Sequence, residues 1–537
     1  MRYHLPILLA ALLVAHLLSA RASEPFFNND EIRHAMTGVF VRDAVLDLPA
    51  SAADPKGYAV AYYLQYPALG LLSWPPFFYL IEGVAMLAFG PSFLVGRLCV
   101  AAFAAMAVAY SYRFARLQLP HGPSLVAAAL VGFSPYFFVL SQRVMLEVPT
   151  FALAVAAVVH FEKYLTDCRG RDAILACLLA ALAMLTRFDA VFLAPYFALR
   201  LLGTRQFALL LNRPVLIGVA LAAVLVGPYY LLTLREYGDG IGTAAGAGTR
   251  PDNAGLFSLE RLAFYPSSLV YLVGWPFALV GFLALVVVIV RRPFPVGRTA
   301  ALLAAVYLTF TPLADAEARH SIYWVPAWAV AVAWLVGAAF AFRRWLGVAL
   351  AVVLALGTGY EVWRHHFRYV RGYEDAARWV LAHRETDRPI LADGELSGSI
   401  VYHTRLHDPA RRVTVLRGDK LLYAMFSDPT SAYTAFARTP ADVLAILHDY
   451  DPEFVVVEDP APAFRAAPVP GAELLARTLR ENKHLYHPEK PIPLRTNYDR
   501  FEGVSLVVYR KLIRNPNPTP LRSLPVPGLG KAIGGGQ

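Results

Sequence analysis

Three carboxylates stand where an apolar chain rarely keeps charge. Asp30 and Glu31 fall in FFNNDEIRHA, just past the first hydrophobic segment. Glu147 falls in SQRVMLEVPTFAL, where two later apolar stretches meet. Charge is costly in a bilayer and is usually kept for a reason. A carboxylate at the edge of a low-dielectric site can take up a proton during catalysis, with a pKa tuned by its surroundings. Acids gathered on one membrane face would line the site of a membrane enzyme.

The elements that must position them are membrane helices. The chain has 537 residues, of which 57% are hydrophobic and only 16% charged, and its mean hydropathy is +0.47. Such a composition describes a polytopic membrane protein rather than a soluble core. The net charge of +10 does not point to nucleic acid, because the basic residues cluster in particular loops. Apolar runs of membrane-crossing length give about eleven spans, near 4–20, 94–112, 123–141, 148–164, 172–186, 188–203, 214–234, 268–290, 299–314, 322–341 and 345–360. The stretch 68–90 is interrupted by Trp74-Pro75-Pro76 and contains Glu82. It reads as a juxtamembrane, interfacial helix.

Charge asymmetry supports this plan. With the N-terminus inside, the inner loops hold Arg2; Arg113 and Arg116; Lys163, Arg169 and Arg171; Arg200, Arg205 and Arg213; Arg291, Arg292 and Arg298; Arg343 and Arg344. Every inner loop is basic, as the positive-inside rule requires. A further span at 68–90 would put these arginines outside. The first segment has the outline of a cleavable signal peptide, but the topology needs it as an anchor. Cys99, Cys168 and Cys177 match no metal motif, and none is placed for an external disulfide.

The domain plan expected is a transmembrane domain over 1–360 with a long outer loop at 21–93. A second outer loop covers 235–267 and is Gly-rich. It lacks the Gly-Lys-Ser/Thr of a phosphate loop and is either a flexible connection or a lid. After about residue 361, helical patterns (YEDAARWVLAHRE, ADVLAILHDY, GAELLARTLREN) alternate with strand-like runs (RPILAD, SIVYHT, RRVTVL, EFVVVED, VSLVVYR). They predict a small α/β domain over 361–514. Residues 515–537, rich in Pro and Gly, are expected to be a disordered tail. In this topology Arg187, Asp315, Glu317, Arg319 and His320 share the outer face with the three acids. The His365-His366 pair reads as interfacial.

The order of motifs resembles a known family. One helix is followed by an outer loop with an Asp-Glu pair (NDEIRHAMTGVF). Then come a Pro-Pro element leading to Phe-Gly and Arg (WPPFFYLIEGVAMLAFGPSFLVGRL), a span ending in basic residues (SYRFARL), and a span ending in FSPYFFVLSQRVMLEVPT. This is similar to the polyprenyl-phosphate-sugar-dependent glycosyltransferases with the C-type membrane fold, a group that includes the protein O-mannosyltransferases and the aminoarabinose transferases. The resemblance is good over about 20–200 and looser beyond.

The resemblance implies a polytopic α-helical C-type glycosyltransferase fold with an extracytoplasmic C-terminal α/β domain. It makes Asp30 the catalytic base for an acceptor hydroxyl or amide. Glu31 is a helper or a first-turn charge that stabilises its helix. Glu147 matches the family's second acidic position and is expected to position the acceptor or set site electrostatics. The leaving polyprenyl phosphate needs cations, which arginine supplies in a bidentate fork. Arg319, with His320 beside it, is the first candidate, Arg187 the second and Arg33 the third; each has an alternative as an interfacial, snorkelling side chain. Aminoarabinose transferases carry a Lys immediately before the Pro-Pro element. Here that position is Trp74, so phosphate contact must come from elsewhere, with Lys56 one source. The oligosaccharyltransferase branch uses a divalent metal at its acids. The acids here could in principle hold one, but no dense carboxylate cluster demands it; no cofactor is expected, with a divalent metal as the alternative.

These expectations describe a multi-pass enzyme of a bacterial inner membrane, with a cytoplasmic N-terminus. It would move a sugar from a polyprenyl-phosphate donor to a protein, lipid or glycan acceptor on the external face, with inversion. The rival reading is a transporter or flippase of lipid-linked sugars. It calls for paired broken helices or an inverted repeat, and the sequence displays neither.

Overall fold

The computed structural model describes residues 3–22, 28–70, 74–242, 258–312, 317–364, 368–425, 433–464, 467–526 and 531–534. Asp315, the His365-His366 pair and residues 243–257 of the Gly-rich loop lie outside them. The chain divides into two compact units. One comprises Met1–Arg21, Leu72–Ile81 and Gly96–Phe367. The other comprises Ala22–Leu71, Glu82–Val95 and Arg368–Gln537. The outer loop expected to belong with the membrane domain therefore groups, for most of its length, with the C-terminal region.

The first unit is helical. At its centre is the helix Glu147–Asp167, in which every residue from Glu147 to Glu162 is buried. Its sequence has no polar face, and a helix apolar all round is stable only when surrounded. Cys168, in the left-handed region at φ +53°, ends it, and Gly170–Met184 returns against it. The helix Arg213–Gly242 is equally apolar but turns Leu216, Val219, Val224 and Leu231 outward, the surface lipid would cover. By length and composition, five helices among the described residues can cross a membrane: Phe93–Arg116, Glu147–Asp167, Arg213–Arg235, Ala318–Phe342 and Arg344–Arg364. Five shorter apolar helices accompany them.

Several expected spans are interrupted, each for a local reason. The run 123–141 divides into His121–Gly132 and Pro135–Leu140, because Pro135 disfavours helical backbone at Ser134. The run 268–290 breaks between Leu259–Val273 and Trp275–Arg291 at Gly274, whose φ of +78° suits only glycine. The expected helix within 68–90 is Phe77–Phe89, beginning directly after the two prolines. Its Glu82 is fully buried.

The central helix carries an acid at each end. Glu147 is described below. At the far end Glu162 accepts from Arg200 Nε at 2.5 Å and Nη2 at 2.9 Å, from Arg298 Nε at 2.7 Å and from the Tyr196 hydroxyl at 2.9 Å. Arg200, in the helix Leu193–Thr204, and Arg298, in the helix Gly297–Phe310, belong to two basic stretches that the charge pattern puts on one side. Removing one partner of a buried ion pair costs about 3–5 kcal/mol. Glu162→Ala is expected to lower the melting temperature in detergent by several degrees; an unchanged melting temperature would mean the cluster contributes nothing.

The second unit is an α/β fold. Its five-stranded sheet runs in the order Val415–Arg417, Ile390–Asp393, Phe454–Asp459, Ser505–Lys511, Tyr486–Pro493. The first three strands are parallel and the last two join antiparallel. The helices Tyr373–His383, Pro440–Tyr450 and Pro470–Glu481 fall where the patterns predict. Thr439 starts the second with a capping box closed by Asp442.

The strand-like run SIVYHT is instead part of the helix Ser397–His407, buried from Ser397 to Arg405. Its β-branched residues suit a strand, but packing on several sides overrides a weak local preference. The described part of the tail, residues 515–526 and 531–534, also departs from expectation. Asn515 N–H donates to Asp451 Oδ1 at 3.2 Å and Thr519 N–H to the Asp449 carbonyl at 2.7 Å. Ser523–Val526 pairs antiparallel with Lys531–Gly534, and Leu524 is fully buried. Composition predicted disorder because it records neither the acceptors on Asp449 and Asp451 nor the packing that buries Leu524.

One buried ion pair and further polar contacts tie the loop helix Asn29–Leu46 into this unit. Asp43 accepts from Arg405 Nη2 at 2.6 Å and Nε at 2.8 Å and from the Tyr62 hydroxyl at 2.7 Å. Asp47 pairs with Arg411, and Asn29 Nδ2 donates to the Glu395 carbonyl at 2.6 Å. These bonds are why the outer loop groups with the C-terminal fold.

Candidate active site

In the helical unit, three segments deliver charge to one point. Glu147 is the first residue of its helix and is wholly buried. The positive end of the helix dipole favours an acid there. Arg187 has extended backbone, φ −158° and ψ 145°, between Gly170–Met184 and the 3-10 turn Phe188–Phe192. That reversal brings it beside Glu147. Arg319 and His320 sit in the 3-10 turn Ala318–Trp324.

Glu147 Oε1 accepts from Arg187 Nη1 at 2.8 Å and from Arg319 Nη1 at 3.0 Å. Its Oε2 is buried, with no hydrogen-bond donor from another described residue. Arg187 Nε also donates to Asp189 Oδ2 at 2.7 Å, and Arg319 pairs with Glu317. His320 Nε2 lies 3.9 Å from Asp189 Oδ1, and its ring stacks on Phe310 at 4.6 Å. The arginines differ in access: the Arg187 side chain is 7% exposed and that of Arg319 20%. Four of the expected residues, Glu147, Arg187, Arg319 and His320, are therefore neighbours. Asp189 and Tyr323, whose hydroxyl is 3.5 Å from Asp189 Oδ2, were not foreseen. The only sequence signal was the spacing Arg-Phe-Asp, two residues, which suits one arginine bracing on a nearby acid.

In the second unit, Asp30 and Glu31 occupy the first turn of Asn29–Leu46, and Asn28 caps it by accepting from the Asp30 N–H at 2.8 Å. The two acids have opposite environments. The Asp30 side chain is 26% exposed and 3.8 Å from Arg33, whereas Glu31 is fully buried. Lys56 is exposed on the helix Pro55–Gln65. Sequence reasoning missed Lys420 and Arg417. Arg417 Nη2 holds Asp419 at 2.6 Å. Burial lowers the Lys420 amine to about 7, with the Asp419 charge opposing that shift and the Arg417 and Arg33 charges adding to it.

Residues 73–231 match the family model described as dolichyl-phosphate-mannose-protein mannosyltransferase. That stretch contains Glu147 and Arg187 but neither Asp30 nor Arg319. No curated protein sequence matches the chain. Among solved structures, ArnT from Cupriavidus metallidurans bound to undecaprenyl phosphate superposes with a TM-score of 0.60 at 13% identity, over 96% of this chain and 98% of that one. The Archaeoglobus fulgidus oligosaccharyltransferase in its apo form does so with a TM-score of 0.54 at 13% identity, over 85% of this chain and 70% of that one. The archaeal oligosaccharyltransferase AglB from the same organism, in complex with an inhibitory peptide and a dolichol-phosphate, gives 0.51 at 13%, over 85% and 69%. The fold is the C-type glycosyltransferase fold. The chain shares this fold with those proteins, and its segment 73–231 is similar to the mannosyltransferase family.

Proposed function

We propose that the protein transfers a sugar from a polyprenyl-phosphate donor to an acceptor at the external face of a bacterial inner membrane, by one inverting displacement. The N-terminus is cytoplasmic, about eleven segments cross the bilayer, and the C-terminal unit is extracytoplasmic. The observation that carries this reading is the buried Glu147–Arg187–Arg319 cluster, in a fold shared with a protein solved bound to undecaprenyl phosphate.

The acceptor hydroxyl attacks the anomeric carbon and gives its proton to the Asp30 carboxylate. The bond from that carbon to the phosphate oxygen breaks, and the electron pair leaves with the phosphate. Arg319 is the cation that meets it, being the more reachable of the two arginines. Arg187, held by both Glu147 and Asp189, is a positioning residue. Glu147 fixes both guanidinium groups and keeps Oε2 for a substrate hydroxyl. His320, braced near Asp189, adds to the local field. Arg33 is a further candidate cation for the phosphate.

The test incubates purified protein in lipid with a panel of polyprenyl-phosphate sugars and follows polyprenyl phosphate release. Release from no donor, with or without candidate acceptors, would sink the proposal. In the same assay Arg319→Ala is expected to lower kcat/KM for the donor by about 10–100-fold, since a hydrogen bond to a charged group contributes about 1.5–3 kcal/mol. Arg319→Lys is expected to recover only part, because an ammonium lacks the planar fork. Equal activity in all three proteins would remove Arg319 from the site.

A further inference from the structure

The helix Ser397–His407 carries His403 and His407 four residues apart, hence on one face. The helix Tyr373–His383 packs against it and contributes Glu374 from its first turn. His407 Nε2 lies 3.0 Å from Glu374 Oε1, and the two imidazole rings stack at 6.4 Å with an interplanar angle of 11°. One donor atom from each of the three residues falls within 4.8 Å of the others. A tetrahedral ion with bonds of about 2.0–2.2 Å holds its ligands about 3.4 Å apart. The spacing on these two helices brackets that value.

We propose that Glu374, His403 and His407 form a binding site for one divalent transition ion of the zinc class, clasping the two helices together. Two imidazoles and one carboxylate are the ligands such an ion prefers over magnesium or calcium, which take oxygen. The site is built rather than incidental, since His403 is only 4% exposed and is fixed on a buried helix. The other two ligands are half-buried and leave a fourth position for water. Arg378 competes for the acid, with Nη2 2.7 Å from Glu374 Oε1 and Nε 3.2 Å from His407 Nε2. Its side chain is 62% exposed, so an arriving cation can displace it into solvent. None of the four residues has a part in the proposed transfer. The helix they would brace also carries Arg405, which holds Asp43 of Asn29–Leu46.

The test uses the full chain, free of any histidine tag and stripped with chelator, titrated with zinc chloride against a fluorescent competitor. One equivalent is expected to bind, and cobalt(II) in its place is expected to give the intense visible bands of a tetrahedral centre. His407→Ala and Glu374→Gln, both at half-buried positions, are expected to weaken zinc by about 100-fold or more. Arg378→Ala is expected to tighten it, a gain that misfolding cannot imitate. No stoichiometric binding, or binding that is the same in wild type and in all three variants, overturns the proposal.

Discussion

Asp30→Asn is expected to cut polyprenyl phosphate release by about 100- to 10,000-fold, the usual contribution of a positioned general base. Asparagine keeps the size and planarity of the side chain but cannot accept the acceptor's proton. The exposure contrast favours Asp30 over Glu31 in the proposed role, Asp30 being 26% exposed and Glu31 fully buried. The substitution leaves the Asn28 cap in place; it forfeits a first-turn charge, about 0.3–1 kcal/mol, and weakens the pairing with Arg33. The variant is therefore expected to stay folded, with a melting temperature within a few degrees of wild type. Glu31→Gln gives the complementary result, a change in stability with kcat largely kept. Release at the wild-type rate from Asp30→Asn would refute Asp30 as base and move the assignment to Glu147.

Glu147→Ala is the second large effect, and it falls first on stability. One carboxylate oxygen receives two guanidinium groups at 2.8 and 3.0 Å inside a fully buried helix end. Without it, Arg187 keeps Asp189 and Arg319 keeps Glu317, but two cations face each other across an empty volume. Breaking a buried pair in this way costs about 3–5 kcal/mol. Thermal unfolding in detergent should show it directly. Glu147→Asp keeps the charge on a shorter arm and should lose less. Donor turnover should fall in both, because Arg319 loses the partner that aims it. A Glu147→Ala protein that melts with wild type would mean the arginines find other partners, and the positioning role would be lost.

The membrane class and the run of helices were legible from the sequence, because apolar length and loop charge are local properties. So was the change of character near residue 361, and the sequence singled out Glu147, Arg187, Arg319 and His320, which the structure makes neighbours. The breaks within apolar runs were not read, although Gly274 and Pro135 were visible, since only backbone geometry shows that a φ of +78° is required. The helix Ser397–His407 was missed because its β-branched composition is a local preference that packing reversed. Asp189 and Glu162 were passed over because their partners are set by chain reversals.

The sequence by itself determined that charge would be scarce, that it would collect at helix ends, and which residue types could bear a proton or a phosphate. Hydropathy and side-chain chemistry belong to residues one at a time and need no fold. Only tertiary structure decided that Glu147 would be shared by two arginines, that Asp30 would be open while Glu31 is sealed, and that the first loop would be bonded to a domain more than three hundred residues away through Asp43 and Arg405. Pairings of that kind depend on distance in space and on the exclusion of water. Neither leaves a periodic trace along the chain.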